Sequence, residues 1–358
     1  MNSLFWGRQY FWQESGAGVI DARLFKKLIF FYIREEDKFM ANPLVAVADS
    51  VFPSLDPAKE ALARVNAELK LAEEATPDKI LAVAAEADGL LVTYGQITAE
   101  VIAGLKNCKV IGRFGIGIDN IDIPVATDAG ITVTYAPVYC LDEVSDHAMA
   151  LLLSLARKIP FANKRAAEGR WEMKAVTPIG RFRCKTMGLI GLGNIPQKIV
   201  GKAQAFGINV IASDPYCLDE VFNRLNVEKV ELDDLLARSD YVSVHAPLTP
   251  ETENMFNMDA FKKMKSSAFL VNTARGPLVE ANDLAAALEA GEIAGAALDV
   301  MPVEPPEADN PLLGRDDVIL TPHTGFYSEE ALLDLQTTVA SDVAAVLAGE
   351  APKYPVKV

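Results

Sequence analysis

The sequence is short of positive charge and of cysteine and histidine. Its 358 residues contain 34 Lys and Arg against 49 Asp and Glu, a formal net charge of −15 at pH 7. A broad basic surface is therefore missing, and we expect no nucleic-acid partner. The four cysteines form no CxxC pair and have no metal-ligand spacing, which favours free thiols in a reducing compartment and no metal site. They are Cys108, Cys140, Cys184 and Cys217.

A long hydrophobic run is also missing. The apolar stretch "LIFFYI" near the N-terminus is too short to span a bilayer and is not flanked like the core of a signal peptide. No other segment has the pattern of a membrane span. The sequence predicts a cytoplasmic protein without a membrane partner.

Residues 1–39 differ from the rest of the chain. They are rich in aromatic residues and end in the charged run "REEDK", whereas a regular pattern starts just after Met40. We favour Met40 as the true start, with a leader that is either mistranslated or disordered. A functional N-terminal tail is the alternative.

From Met40 onwards, short β-branched runs alternate with helical stretches, which is typical of α/β folds with parallel sheets. "LVAVADS", "GLLVTYGQ", "KVIGRFG" and "ITVTYAP" predict strands, and residues 56–74 predict a helix with Asp56 as N-cap. A long apolar helix follows over residues 142–159. A second α/β series then runs to "VILTP", and the last helix ends near Gly349. Two doubly wound domains are expected, with the last helix returning to the first.

The stretch from "TMGLI" to Asp214 has the pattern of a dinucleotide-binding unit: strand, glycine turn, helix, strand and acid. Asp214 follows Gly193 by about 20 residues, the spacing of an acid that binds ribose hydroxyls. Gly191 permits the tight turn, and Gly193 lets a pyrophosphate approach the amides of Asn194 and Ile195 at the helix N-terminus. Asp214 would repel a 2′-phosphate, and no Arg or Lys follows in "DPYCLDE". The sequence therefore predicts NAD(H) rather than NADP(H).

The third glycine of this turn is missing, and Pro196 occupies its position. In the first turn of a helix a proline loses no ladder hydrogen bond, but it disfavours the α region for the residue before it. We expect a slightly shifted or delayed helix start, with the amides of Asn194 and Ile195 still free.

A second glycine cluster, "GRFGIGIDNID", contains Gly112, Gly115 and Gly117. The strand after it ends without an acid, which argues against a second nucleotide site. A backbone turn at a domain surface is the favoured interpretation, and a substrate-facing loop is the alternative.

Several polar residues follow predicted strands, where ligands of open α/β sheets bind. His245 and His323 end two strands, Arg275 and Asp299 end two others, and Glu304 comes shortly after Asp299. Arginine can hold a carboxylate with two hydrogen bonds, histidine can exchange a proton near neutral pH, and a nearby carboxylate can orient its ring. The third histidine, His147, lies inside the long helix and is expected to be packed and satisfied.

These motifs together resemble the D-isomer-specific 2-hydroxyacid dehydrogenases from about Met40 to the C-terminus. The matching stretches are "GRFGIGIDNIDI", "YCLDEVSDHAMALLLSLARKI", "MGLIGLGNI", "VSVHAPLTPET", "FLVNTARGPLVE", "ALDVMPVEPP" and "VILTPHTGFYS". The second of these is similar to the branch that contains the C-terminal-binding corepressors and their bacterial enzyme relatives.

The resemblance implies a catalytic trio of Arg275, Glu304 and His323. Arg275 would bind the 2-oxo acid and polarise its carbonyl, His323 would exchange the proton, and Glu304 would keep His323 basic. The implied substrate-binding residues are the backbone amides of Tyr94 and Gly95, with Arg275. The cofactor-binding residues, from the turn and the resemblance together, are Gly191, Gly193, Asn194, Ile195, Asp214, His245, Ala246, Pro247, Thr252, Thr273, Ala274, Arg275, Asp299 and His323.

The resemblance also implies two Rossmann-like domains with parallel sheets, the nucleotide domain inserted into the substrate domain, and a homodimer. The expected division is residues 40–141 and 325–358 for the substrate domain and 142–324 for the NAD-binding domain. The expected activity is hydride transfer between NAD(H) and C2 of a small anionic D-2-hydroxy acid or 2-oxo acid. The alternative is an NAD(H)-sensing, corepressor-like binding protein with little catalysis. Since no regulatory domain follows residue 358, a role in serine biosynthesis is less expected.

Overall fold

The computed structural model describes residues 42–357 of the chain. The expected leader, residues 1–39, and the proposed start at Met40 lie outside this part. Within it, two all-parallel sheets of five and seven strands account for every strand, which confirms the predicted α/β class with two Rossmann-like sheets. No helix in this part of the chain has the length and apolar character needed to cross a membrane.

The five-stranded sheet has the strand order β2-β1-β3-β4-β5. The residues of β3 and β4 are buried throughout because helices cover both faces, so these strands are apolar rather than alternating. The strands are β1 (Leu44–Val47), β2 (Glu68–Leu71), β3 (Gly89–Val92), β4 (Val110–Arg113) and β5 (Thr132–Thr134). The helices between them are α1 (Asp56–Leu62), α2 (Pro77–Ala84), α3 (Ala99–Gly104) and α4 (Ile123–Asp128), with a 3-10 turn at Ala63–Val65.

The helix predicted over residues 56–74 is wrong in its second half. It ends at Leu62 and a 3-10 turn, after which Asn66 takes a left-handed conformation with φ 53° and the chain enters β2. β2 is an edge strand whose side chains are mostly exposed, so its polar residues look helical in sequence. Asp56 is the first helical residue; Leu55 is the N-cap and has no side-chain capping bond.

The seven-stranded sheet has the order β12-β11-β10-β9-β6-β7-β8. All its strands except the two-residue β8 were expected. Its strands are β6 (Thr186–Ile190), β7 (Asn209–Ser213), β8 (Glu228–Lys229), β9 (Tyr241–Val244), β10 (Phe269–Asn272), β11 (Gly295–Leu298) and β12 (Val318–Leu320). The helices are α5 (Leu141–Ala156), α6 (Ile159–Ala167), α7 (Asn194–Ala205), α8 (Asp219–Leu225), α9 (Leu232–Arg238), α10 (Met258–Lys263) and α11 (Ala281–Ala290), with 3-10 turns at Met173–Val176 and Gly276–Leu278.

Two helices connect the sheets. The long helix α5 packs its buried face against α7 and the seven-stranded sheet, and it ends where Lys158 turns left-handed with φ 52°. The last helix, α12 (Glu329–Leu347), begins with Ser328 as N-cap and returns to the five-stranded sheet, as expected. Gly112 of β4 makes room for it, since a Cβ there would lie 2.7 Å from Val339 and Val343. The exact domain boundaries stay a prediction.

Candidate active site

A cavity of about 430 Å³ lies where the carboxyl ends of strands from both sheets meet. Its walls come from the loops after β3, β4 and β5, the glycine turn before α7, and the loops after β9, β10 and β12. Several residues singled out in the sequence line it: Tyr94, Gly193, Asn194, Ile195, His245, Ala246, Pro247, Thr273, Ala274, Arg275, Asp299 and His323. Of the other expected site residues, Gly95, Gly191, Asp214, Thr252 and Glu304 are not on its surface.

The two glycines of the turn have different roles. Gly191 has φ 88°, and a Cβ there would lie 3.0 Å from the carbonyl oxygen of His245, so a side chain would strain the turn. Gly193 has an ordinary φ of −71°, and a Cβ there would have no neighbour within 4 Å among the residues described. The backbone at Gly193 therefore faces open space in the cavity, where a pyrophosphate can approach.

Pro196 does not delay the helix. Helix α7 begins at Asn194, directly after its N-cap Gly193, so the expected later start is wrong. Pro196 is the third helical residue and is buried, and the amide of Gln197 makes the first helix bond, 3.1 Å to the carbonyl of Gly193. The amides of Asn194 and Ile195 have no acceptor inside the helix and mark the positive end of its dipole.

Asp214 stands at the end of β7 and is tied to the glycine turn. Its Oδ2 accepts a hydrogen bond of 2.8 Å from the amide of Leu192, and its Oδ1 accepts bonds from the amides of Tyr216 and Cys217. Oδ2 keeps a lone pair for a hydroxyl group. The open space at Gly193, the helix N-terminus and this fixed carboxylate together fit an NAD molecule.

Thr252 supports a cavity loop from behind. Its hydroxyl donates to the carbonyl of Pro247 at 2.7 Å and accepts from the amide of Thr249 at 2.8 Å. The structure places it behind the loop Ala246–Pro247 rather than on the cavity surface, so the expected cofactor contact of Thr252 remains a prediction.

The two strand-end histidines differ in their environment. Burial lowers the pKa of His245 to about 3, and its ring hydrogen-bonds the hydroxyl of Ser243 at 2.8 Å. His245 is therefore neutral at physiological pH. His323 is partly exposed to the cavity, so it is the histidine that can exchange a proton with a bound molecule.

His323 is paired with Glu304. Its Nδ1 lies 2.8 Å from Oε2 of Glu304, and Oε1 of Glu304 accepts a bond from the amide of Met301. Burial acts to raise the pKa of Glu304, but the hydrogen bond and charge of His323 outweigh it and hold the pKa below the usual value. Glu304 is thus a carboxylate that fixes the ring through Nδ1 and leaves Nε2 outside this pair.

Asp299 anchors the loop that carries His323. Its nearly inaccessible carboxylate accepts bonds from the hydroxyl of Thr321 and from the amides of Thr324 and Gly325. Burial opposes the charge, but hydrogen bonds from His147 and Thr321 keep the pKa of Asp299 below its usual value. His147 is packed and satisfied, as expected, with its Nε2 3.0 Å from the Thr321 hydroxyl. A carboxamide contact for Asp299 stays a prediction.

Arg275 reaches from the seven-stranded sheet to the opposite wall. Its Nε donates to Asp119 at 2.9 Å, and its Nη1 donates to the carbonyl of Ala274 at 2.7 Å. A Cβ on Gly117 would overlap Nη2 of Arg275. The absence of a side chain at Gly117 is therefore what lets the guanidinium lie here.

The second glycine cluster lines the cavity. Gly115, with φ 152°, gives the same kind of room to the guanidinium of Arg113 that Gly117 gives to Arg275. Residues 116–119 all face the cavity. The favoured interpretation, a plain surface turn, does not hold; the alternative, a substrate-facing loop, fits this arrangement.

Arg113 is a second cation that sequence analysis missed. It is only 8% exposed, its Nη1 donates to the carbonyl of Phe114 at 2.9 Å, and its buried Nε has no partner within residues 42–357. Burial lowers the pKa of Arg113, and the positive charge of Arg275 nearby adds to this. Arg113 ends strand β4, so the rule that singled out Arg275 could have found it.

The expected carboxylate-binding amides are already occupied. The amides of Thr93, Tyr94 and Gly95 donate to the carboxylate of Asp49 at 2.9, 2.7 and 3.2 Å. An internal carboxylate thus takes the place that was expected for the substrate, and the role given to the Tyr94 and Gly95 amides is corrected. The Tyr94 ring still faces the cavity, 5.4 Å from the ring of His323.

Comparison with known proteins identifies the relatives of this arrangement. A family profile described as "D-isomer specific 2-hydroxyacid dehydrogenase, NAD binding domain" matches residues 149–325. The D-3-phosphoglycerate dehydrogenase of Methanocaldococcus jannaschii is 42% identical over 285 residues, which cover 79% of this chain and 54% of that protein. The chain belongs to the D-isomer specific 2-hydroxyacid dehydrogenase family.

Solved structures of the same fold cover nearly all of the described chain. The TT0316 protein of Thermus thermophilus is 32% identical, with a TM-score of 0.78, over 88% of this chain and 100% of that one. A D-lactate dehydrogenase of Aquifex aeolicus, solved with NAD and lactic acid, is 26% identical with a TM-score of 0.77 and covers 86% and 96% of the two chains. This member of the 2-hydroxyacid dehydrogenase family spans about half the length of the curated relatives it matches.

Proposed function

We propose that this chain catalyses hydride transfer between NAD(H) and C2 of a small D-2-hydroxy acid or its 2-oxo counterpart. The observation that carries the proposal is the His323–Glu304 pair, which faces Arg275 across the cavity that also contains the glycine turn. A proton-exchanging group, a carbonyl-polarising cation and a nucleotide turn are the parts this reaction needs.

In this mechanism the protein positions the acid and moves one proton. The nicotinamide, when bound, supplies the hydride to C2 during reduction and accepts it during oxidation. His323 gives its proton to the carbonyl oxygen in reduction and takes it back in oxidation, while Glu304 stabilises the charged imidazole. Arg275 polarises the carbonyl through its positive charge.

The substrate carboxylate would lie between the loop after β4 and the two arginines. Arg113 is buried without an anionic partner in the described chain, an arrangement that is costly unless a ligand supplies the anion. The amides of Ile116 and Gly117 line the same wall and make no hydrogen bond to any residue that the structure describes. We assign the carboxylate to this wall, in place of Tyr94 and Gly95.

The cofactor preference follows from Asp214. Its carboxylate accepts backbone amides and stands where ribose hydroxyls are bound in this fold, so a 2′-phosphate would meet a negative charge there. We propose that NADH is preferred over NADPH. The expected cofactor contacts of His245, Thr273 and Ala274, which line the cavity, belong to this same proposal.

A homodimer in the cytoplasm remains the proposed state of the protein. The segment around α6 exposes Ile159, Trp171 and Met173, with 53%, 89% and 78% of their surface accessible. Exposed apolar groups of this size are typical of interaction surfaces. A Trp171→Glu variant should shift the mass measured by light scattering from dimer to monomer; a wild-type monomer would contradict the proposal.

The function is tested by comparing wild type with His323→Ala. We expect wild type to oxidise NADH with at least one of glyoxylate, hydroxypyruvate, phosphohydroxypyruvate, pyruvate or a bulkier 2-oxo acid. His323→Ala should lose this turnover and still bind NADH, measured by fluorescence titration. Tight NADH binding without turnover on any 2-oxo acid would favour the NAD(H)-sensing alternative instead.

A further inference from the structure

The half of the cavity that faces the substrate is lined by aromatic rings. Phe52, Tyr94, Phe114 and Tyr139 follow strands of the five-stranded sheet, and Phe326 follows β12, just after His323. The nucleotide turn comes from the other sheet. The rings therefore surround the space beside His323 that the substrate's side chain must occupy once its carbonyl meets this residue.

The ring contacts fall into two groups that line the same cavity. Phe52 packs edge-on against Phe114 with ring centres 5.1 Å apart, and Tyr139 lies 6.4 Å from Phe326. The rings of Tyr94 and Phe326 flank His323 at 5.4 and 6.1 Å. A ligand group placed here would contact ring faces and edges, which favour apolar and aromatic groups over hydrated anions.

The charges of the cavity also favour an apolar side chain over a phosphorylated one. Among the described residues that line it, the only lysines or arginines are Arg113 and Arg275, and Asp119 and Asp299 are the acids. Arg275 is paired with Asp119 and, in the proposed function, also serves the carbonyl, while Arg113 and the loop after β4 serve the substrate carboxylate. A phosphate group would bring about two further negative charges to a wall of rings with no cation left for them.

Resting on the proposed function, we infer that the substrate is a 2-oxo acid with a large apolar side chain, aromatic or branched, rather than a phosphorylated one. Phe52, Tyr139 and Phe326 are then the residues that determine specificity, and the almost fully buried Phe114 packs against Phe52. This differs from the substrate in the name of the M. jannaschii relative, a D-3-phosphoglycerate dehydrogenase.

The test compares four 2-oxo acids with NADH and the full chain: phenylpyruvate, 4-methyl-2-oxopentanoate, glyoxylate and 3-phosphohydroxypyruvate. We expect kcat/KM for phenylpyruvate or 4-methyl-2-oxopentanoate to exceed that for 3-phosphohydroxypyruvate at least about tenfold. An equal or higher value for 3-phosphohydroxypyruvate overturns the inference and leaves the proposed function standing.

A binding measurement separates the two proposals. If no 2-oxo acid is reduced, the proposed function fails. Calorimetric titration of the protein–NADH complex with phenylpyruvate and with 3-phosphohydroxypyruvate still ranks the two side chains. Tighter binding of phenylpyruvate supports the apolar pocket, and equal or weaker binding overturns it.

Variants test whether the aromatic rings determine the preference for the substrate's side chain. Phe52→Ala should lower kcat/KM for phenylpyruvate about tenfold or more relative to glyoxylate, which has no side chain to contact the wall. The ratio of kcat/KM for phenylpyruvate to kcat/KM for glyoxylate does not change if a fraction of the protein molecules is misfolded, because both values fall together. Phe52→Leu should restore part of the lost ratio. Phe206→Ala, an exposed phenylalanine outside the cavity lining, is the matched control. An unchanged ratio in Phe52→Ala would contradict the assignment.

Discussion

The guanidinium of Arg275 lies 2.9 Å from the carboxylate of Asp119, and this ion pair crosses the cavity from one sheet to the other. The pair depends on Gly117, whose missing side chain leaves the space that Nη2 occupies. Arg275 is thereby held in position from both walls of the cavity. It follows the end of strand β10 on one wall, and Asp119 and Gly117 contact it from the other.

Gly117→Ala should therefore displace Arg275 without disturbing the nucleotide turn. A displacement of about 1 Å in a positioning group commonly costs about 100-fold in rate, and we expect a loss of that order in kcat/KM. NADH affinity should change little. Gly201→Ala, in helix α7 where a Cβ meets no described atom within 4 Å, is the control and should keep full activity. A Gly117→Ala enzyme with wild-type kinetics would show that Arg275 need not lie where it does.

The Glu304 carboxylate should be needed for the proton transfer at His323. Its Oε2 lies 2.8 Å from Nδ1 of His323, and its Oε1 is fixed by the amide of Met301. Glu304→Gln keeps the size of the side chain but removes the negative charge beside the ring, so we expect kcat/KM to fall about 100-fold. NADH affinity should change little. Steady-state kinetics and NADH titration of both proteins measure this, and a Glu304→Gln enzyme with wild-type kcat/KM would contradict it.

Much of the site could be predicted because the end of an apolar run in the sequence shows where a strand ends. Arg275 and Asp299 each follow a buried run, His323 follows the partly buried strand β12, and parallel strands bring their carboxyl ends to one edge. The cofactor turn is equally local, since the turn, the helix and Asp214 lie within one βαβ unit. Even Pro196 is explained by its place in the first helical turn, although it did not delay the helix.

The remainder depends on contacts between loops far apart in the chain. Asp49 occupies the amides after β3 because the loops after β1 and β3 are neighbours in the sheet, and no local pattern reveals that an aspartate will reach them. The roles of Arg113 and Asp119 can be recognised only once the fold places them in the same cavity as Arg275. The edge strand β2 was missed because its exposed side chains follow no buried periodicity.

The glycine turn offers a test that separates folding from binding. Gly193→Ala should fold like wild type and bind NADH about tenfold or more weakly, since its methyl group would project into the space kept for the pyrophosphate. Gly191→Ala should instead lower stability, because φ is 88° and a Cβ would press against the His245 carbonyl. Thermal unfolding and NADH titration of both variants distinguish these effects. Equal NADH affinity in Gly193→Ala and wild type would argue against a pyrophosphate at this turn.

The Asp299 carboxylate should contribute stability that disappears in acid. Asp299→Asn removes a charged acceptor from the Thr321 hydroxyl and the amides of Thr324 and Gly325, and an unsatisfied buried network of this kind costs about 2–4 kcal/mol. Because the folded state lowers the pKa of Asp299, its stabilisation is present above the unfolded value of about 3.9 and is lost as the pH falls through the lowered folded value.

Urea unfolding at a series of pH values measures that contribution. The difference in stability between wild type and Asp299→Asn should be largest near neutral pH and should shrink below about pH 4. Asp316→Asn, which breaks only the exposed ion pair with Lys164, should stay within about 0.5 kcal/mol of wild type throughout. A difference that grows as the pH falls would mean that Asp299 is protonated in the folded protein, and the loop carrying His323 would then be held by hydrogen bonds of a neutral acid.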